Sequence, residues 1–335
     1  MHAHLPTRRR PFTVLLAALA LLALGATVAV ARTSSTKLAL VAYSTPTEAY
    51  KELIPLFQKT DAGKDVTFST SFGSSGDQAA AVHNGLPADI VAFSLAPDVT
   101  VLSQAGLVST SWNKDRYGGM VTDSIVVFCV RKGNPKGIRS WQDLIKPGVD
   151  VINANPFTSG GARWNVMAAY GAQITNKKSP AQARAYLRAL YKNISVQDKS
   201  ARDSLNTFLS GKGDVLLAYE NEAIQAQQKG ASIDLVRPSS TILIENPIAV
   251  TKGSQHPTEA KAFIDFLRSA AAQDVFAERG YRPIEATTAK KWKSTFPTSK
   301  FPFTIRDIVK GGWPIAQKQF FDPDDGIVKK IQSGG

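Results

Sequence analysis

Apolar positions along the chain follow two alternating rhythms. Short apolar or alternating runs occur at Lys37 to Tyr43, Val66 to Ser71, Asp89 to Phe93, Ile125 to Val130, Val149 to Ile152, Ile194 to Gln197 and Val215 to Tyr219. Their length and period predict β-strands. Between them, apolar residues recur at three- and four-residue spacing, the period of one helix face. Examples are Tyr50, Leu53, Ile54 and Phe57, then Trp164, Met167, Tyr170 and Ile174, and later Ala262, Phe263, Phe266 and Leu267. Strands alternating with helices predict an α/β fold with mostly parallel pairing. Ile242 to Ile244 and Ile248 to Val250 flank Glu245-Asn246-Pro247 and read as an extended segment returning between two lobes.

Three strand-to-helix junctions share a chemistry. Thr158-Ser159-Gly160-Gly161 opens the helix of Trp164, with Ser159 where an N-cap belongs. Phe72-Gly73-Ser74-Ser75-Gly76 leads into an alanine-rich helix ending near His83, and Ser200-Ala201-Arg202 leads into Leu205, Phe208 and Leu209. The caps are Ser75, Ser159 and Ser200-Ala201, small or hydroxyl-bearing and never acidic. A helix start carries unpaired N–H donors and the positive end of the dipole. One such start is an ordinary capped turn; three converging would form a site for a fully deprotonated tetraoxyanion, which needs donors only. Thr45 reads as a cap ahead of Pro46 at the first turn of the first helix.

Composition narrows the class. The chain has 335 residues, 43% hydrophobic and 20% charged, long enough for two domains with real cores. Residues 1–31 stand apart: Arg8, Arg9 and Arg10 precede an apolar run closing on Ala29-Val30-Ala31. This predicts a secretory signal peptide cleaved after Ala31, the alternative being an uncleaved anchor, since the run approaches spanning length. Cleavage takes the formal charge from +13 to +10. Lys and Arg are spread along the chain among acids, so the charge reads as solubility and weak attraction for anions rather than a nucleic-acid interface. The single Cys129, inside Ile125 to Val130, reads as a buried strand residue.

Catalytic machinery is sparse. Beyond residue 31 the histidines are His83 and His256, and no G-x-S-x-G, Walker-type or G-x-G-x-x-G motif occurs. One Cys and two His make no familiar zinc set. Neither a cofactor nor a metal is expected, and enzymatic activity is not.

Longer motifs carry a resemblance. Phe72-Gly73-Ser74-Ser75-Gly76, Val130-Arg131-Lys132-Gly133-Asn134-Pro135, Asp143-Leu144-Ile145-Lys146-Pro147-Gly148-Val149, Ser159-Gly160-Gly161-Ala162-Arg163-Trp164-Asn165, Glu220-Asn221-Glu222-Ala223 and Gly311-Gly312-Trp313 are among them. Over about Ala42 to Phe320 the chain resembles the periplasmic sulfate-binding proteins of ABC transporters, with thiosulfate-binding members close by. The resemblance implies a two-lobed type II periplasmic binding protein fold, each lobe a mixed, mostly parallel sheet flanked by helices, with the ligand in the interlobe cleft. Lobe I would hold 37–124 plus 248–335 and lobe II 125–247, with crossovers near 124–126 and 245–248. Carried over by position, the sulfate donors would be Ser75, Ser159, Gly160, Gly161 and the Ala201 backbone N–H. Thr45, Ser74, Arg163 and Ser200 would support them, Arg163 bracing the site from behind. The family's further donor is usually a Trp indole just before Glu-Asn-Glu; here that position is Tyr219. The family's Asp-Pro-Thr is here Thr45-Pro46-Thr47. The implied role is a monomeric, extracytoplasmic receptor that captures sulfate and hands it to an ABC permease. Thiosulfate, molybdate or phosphate are the alternative ligands, and a secreted enzyme on sulfate or phosphate esters is the alternative class.

Overall fold

The structure, a computed structural model, describes Met1 and residues 35–334. The signal peptide expected at residues 1–31 lies outside the described residues. In chain order, β1 (Thr36–Tyr43), α1 (Thr47–Phe57), β2 (Val66–Gly73), α2 (Ser75–His83), β3 (Ile90–Ala92) and α3 (Ala96–Gln104) come first. Next are β4 (Met120–Arg131), a 3-10 turn at Trp141–Ile145, β5 (Val151–Ala154), α4 (Gly160–Thr175), α5 (Pro180–Asn193) and β6 (Ile194–Asp198). Then follow α6 (Ala201–Leu209), β7 (Val215–Tyr219), α7 (Glu220–Gln228), β8 (Ile233–Val236), β9 (Ser240–Val250), α8 (Pro257–Leu267) and α9 (Ala270–Glu278). The chain closes with α10 (Ala286–Lys291), β10 (Phe301–Phe303), α11 (Ile305–Ile308), α12 (Trp313–Phe321) and α13 (Ile327–Gln332).

The strands pair in the order β2-β1-β3-β9-β4-β7-β5-β6, with β10 on β9 and β8 on β4. β1, β2 and β3 are mutually parallel, as are β5, β6 and β7. Two long antiparallel strands, β4 and β9, join these ends. They pair with each other from Met120 to Ile125 and Leu243 to Pro247. The last part of β9 then pairs with β3, and the second half of β4 with β7 and β8. The stretch around Pro247, expected to be extended, is one strand, β9. Pro247 is accommodated where the β4 ladder slips register between Met120 and Thr122.

Strand alternation builds a core on each face. Leu38, Leu40 and Ala42 pack with α1, α8 and α9, whereas Val41 packs with α2 and α3. At the other end Val126, Phe128 and Val130 face α4 and α5, whereas Ile125, Val127 and Cys129 face α6 and α7. Both faces of β4 are covered, so its sequence reads as an unbroken apolar run. Cys129 is fully buried there, and burial pushes its thiol well up from its ordinary range.

One local expectation needs correction. The N-cap of α1 is Pro46, not Thr45. Thr45 is committed elsewhere: its hydroxyl takes a bond from Tyr281 at 3.3 Å and its carbonyl one from Arg202 at 3.0 Å. The tail from β10 onward packs on α4 and α5, with α12 also against α3. Phe303, Ile305, Ile308, Trp313, Phe320 and Ile331 share a core with α4 and α5. Trp313 meets Trp164 edge-on at 4.7 Å. Gly171 leaves the space that Phe303 fills, since a Cβ there would lie 2.3 Å from the Phe303 ring.

Candidate functional site: three helix starts around one pocket

Six strands deliver their carboxyl ends to one pocket. It is lined by Tyr43, Ser44 and Thr45 after β1, Gly73, Ser74 and Ser75 after β2, and Ser94 after β3. Ser159, Gly160 and Gly161 follow β5, Ser200 and Ala201 follow β6, and Tyr219 ends β7. Ligands of open α/β sheets collect at carboxyl ends, where the strand order reverses. All six junctions lead into helices, and three of these, α2, α4 and α6, bring their first residues into the lining. Ser75, Gly160 and Ala201 are first helical residues and Gly161 a second, so their N–H groups have no intrahelical acceptor. Among the described residues, none of the four donates elsewhere in the protein. The helix starts lie close together. A Cβ on Gly161 would be 3.2 Å from Ala201 Cβ and 3.5 Å from both Ser159 Oγ and Tyr219 Cε1. A Cβ on Gly160 would lie 2.2 Å from Leu95 Cδ2 and 2.6 Å from Ser94 Oγ, so only glycine fits.

The caps differ from the sequence expectation. Ser74, not Ser75, caps α2, and its hydroxyl donates to Asp77 Oδ2 at 2.6 Å. Ser200 caps α6, donating to Asp203 Oδ2 at 2.7 Å while accepting the Asp203 N–H. Acids therefore do stand in the first turn of two of the three helices, three residues after the cap. They orient the cap hydroxyls and contribute nothing to the pocket lining. Ser159 accepts the Ala162 N–H at 3.3 Å, which leaves its own proton free to point outward. Its backbone N–H is taken by the Asn155 carbonyl at 2.8 Å.

Ser75 presents its backbone rather than its hydroxyl. Ser75 Oγ donates to Asp98 Oδ2 at 2.5 Å and accepts the Ser94 N–H at 3.0 Å. Asp98 is buried, and burial raises its carboxyl from the ordinary range while the Arg163 guanidinium and the Ser75 bond oppose that shift. Arg163 Nη1 lies 3.3 Å from Asp98 Oδ1, and its Nε donates to the Pro156 carbonyl at 2.8 Å. Arg163 stands outside the lining residues, behind the α4 start. Arg202 is placed similarly behind the α6 start, paired with buried Glu222 and donating to the Thr45 carbonyl. Contacts between the two halves of the pocket include Gly76 N–H to the Thr158 carbonyl at 3.0 Å.

Every residue put forward from sequence as a donor or support lines the pocket except Arg163. Ser94, Tyr43 and Ser44 line it too and were not anticipated. Ser94 sits after the short β3 in Phe93-Ser94-Leu95-Ala96-Pro97, ahead of a helix with proline in its first turn, and that pattern was its one available signal. Ser94 Oγ lies 2.6 Å from Tyr219 Oη. Burial holds the Tyr219 phenol well above its ordinary pKa, so it keeps its proton. Among the described residues, no group of three or more His, Cys, Asp or Glu is placed to hold a metal ion.

The pocket is thus ringed by backbone donors at helix starts, and comparison with known proteins identifies the family. The pattern of the bacterial extracellular solute-binding proteins matches residues 38–282, and the chain belongs to that family. It is 42% identical over 295 residues to the sulfate-binding protein of Escherichia coli, covering 84% of this chain and 88% of that one. It is 34% identical over 327 residues to the thiosulfate-binding protein of Pseudomonas aeruginosa, covering 93% and 97%. The solved structure of the sulfate-binding protein SubI from Mycobacterium tuberculosis superposes with a TM-score of 0.83 at 38% identity, over 86% of this chain and all of that one. The fold is thus the two-lobed type II fold of periplasmic binding proteins, and these relatives are named as binding proteins rather than enzymes.

Proposed function

We propose that this chain is an extracytoplasmic receptor that captures sulfate in the pocket and delivers it to the membrane permease of an ABC importer. The observation that carries this reading is the set of free N–H groups of Ser75, Gly160, Gly161 and Ala201 at three helix starts, in a pocket to which, among the described residues, no carboxylate and no cationic side chain contributes. Donors alone suit an anion that carries no proton. Relatives named for sulfate support the choice of ion, and the thiosulfate-binding relative keeps thiosulfate as the second candidate. We read the first lobe as 37–124 plus 248–300, the second as 125–247, and the tail from 301 as crossing onto the second. The β4/β9 ladder is then the hinge. In this reading the receptor is a monomer without cofactor and without turnover; among the described residues, the pocket lining holds no His, Cys, Asp, Glu, Lys or Arg.

Titration calorimetry with sulfate, thiosulfate, molybdate and phosphate tests this. One sulfate per chain, lost in a Gly160→Ala variant that still folds, is the expected result. Turnover of a sulfate or phosphate ester that disappears in Ser159→Ala would overturn it.

A further inference from the structure

We infer that Ser94 is a ligand-facing specificity residue, and that its hydroxyl works with that of Tyr219 as one reversible hydrogen-bonding unit. This rests on the reading of the pocket as an oxyanion site.

Ser94 is held on three sides. Its N–H donates to Ser75 Oγ at 3.0 Å, and its carbonyl accepts from Trp164 Nε1 at 2.8 Å and Asn246 Nδ2 at 2.9 Å. The backbone is therefore fixed, and the hydroxyl is the one polar group of the residue not tied to the scaffold. That hydroxyl sits at the first residue of α4, in the space glycine leaves at position 160. Both Ser94 and Tyr219 are 1% exposed, and both line the pocket.

Two hydroxyls 2.6 Å apart share one hydrogen bond and hold two protons. Whichever way the shared bond runs, one O–H is left over. If Tyr219 donates to Ser94, the serine proton points outward; if Ser94 donates to Tyr219, the phenol proton does. The unit thus always has one hydrogen bond for a bare oxyanion. It also keeps an oxygen lone pair that can take a proton-bearing oxygen of the ligand.

Apart from Tyr43, whose buried hydroxyl has no hydrogen-bond partner, the other pocket hydroxyls are more committed. Ser74, Ser75 and Ser200 donate to Asp77, Asp98 and Asp203. Ser159 Oγ takes the Ala162 N–H, and Thr45 Oγ1 takes the Tyr281 hydroxyl. Ser44 stands at the half-buried rim. The backbone donors can only give. A singly protonated oxyanion in a donor-only pocket leaves its own proton unmatched, a loss of roughly ten- to hundredfold in affinity. The Ser94–Tyr219 unit relieves that loss. The pocket should accept singly protonated oxyanions at lower affinity instead of excluding them.

The test is calorimetric titration at pH 8 with sulfate and with inorganic phosphate, which then carries one proton. In Ser94→Ala/Tyr219→Trp an indole N–H, a pure donor, replaces both hydroxyls. Sulfate affinity should stay within about threefold, and the preference for sulfate over phosphate should rise about tenfold or more. An unchanged preference overturns the inference. Smaller truncations decide the matter if that variant does not fold. Ser94→Ala and Tyr219→Phe should each weaken sulfate by less than about twofold, since the remaining hydroxyl takes over. Losing both should weaken it about tenfold or more. Losses that simply multiply mean two independent contacts and also overturn it. A wild-type chain that binds neither ion defeats the oxyanion reading itself. One that binds sulfate normally but shows no such coupling defeats only this inference.

Discussion

Gly160 shows how a single missing atom shapes the pocket. Its Cα lies against Leu95 and Ser94, with room for hydrogen only. Gly160→Ala should push α4 away from β3, weaken sulfate binding about tenfold or more, and destabilise the chain by about 1–3 kcal/mol, an overpacking cost. Denaturant unfolding and calorimetry on the same variant check both effects. The Asp98–Arg163 pair is the other residue-scale commitment. Both side chains are nearly buried, and Asp98 holds the Ser75 hydroxyl. Arg163→Ala leaves an uncompensated buried carboxylate and should cost about 3–5 kcal/mol in urea unfolding. A loss below about 1 kcal/mol would mean that Asp98 is already neutral. Most of the donors were legible in sequence, because Ser159-Gly160-Gly161 and Ser200-Ala201 announce helix starts by residue type alone. Ser94 and Asp98 were not legible, because their roles depend on which strand end lies beside which helix. The exchange of roles between Ser74 and Ser75 was beyond sequence for a similar reason. Either serine can cap, and only the position of Asp98 draws the second hydroxyl inward.

At the scale of elements, the β4/β9 ladder carries a second consequence. Asp123 and Glu245 face each other across it, and Asp123 also bridges to Arg282 through the backbone. Arg282 and Arg237 are both paired with Glu220, and Arg306 is the cation nearest to Glu245 in effect. Burial first, and then the Glu245 charge, push the Asp123 carboxyl up to about 8, with Arg282 opposing. The folded chain therefore holds a proton that the unfolded chain gives up near pH 4. Stability from this group is fully present below about pH 4 and falls as pH rises, by about 1.4 kcal/mol per pH unit, levelling off above about pH 8. Asp123→Asn should flatten that part of the profile, as read by urea unfolding between pH 5 and 9. A profile identical to the wild type would show that Asp123 is ionised in the folded state. Helix and strand periods predicted the elements on either side of this ladder well, since each has one clear apolar face. The extended run around Pro247 was legible as well, whereas the register slip that admits the proline was not, because it depends on the β4 partner.

At the largest scale, residues 35–334 form two sheet ends joined by two strands, with the pocket where the strand ends meet. Contacts such as Gly76 to Thr158 and Asp98 to Arg163 tie the early part of the chain to the middle. If β4 and β9 act as the hinge, these contacts are made on closure and broken on opening. Small-angle scattering should then show a smaller radius of gyration with sulfate than without, and equal radii would contradict hinge closure. The alternation of strand and helix made the α/β class readable, and the position of the tail was not. Phe303, Trp313 and Phe320 announce burial but not which face they cover, and that is settled by the gap at Gly171 and the edge-on contact of Trp313 with Trp164. The central claim is that backbone donors at three helix starts hold the anion. An amide proton–nitrogen spectrum titrated with sulfate tests it most directly. The N–H resonances of Ser75, Gly160, Gly161 and Ala201 should move together and saturate at one sulfate per chain. Sulfate that binds while leaving these four resonances in place would contradict the account.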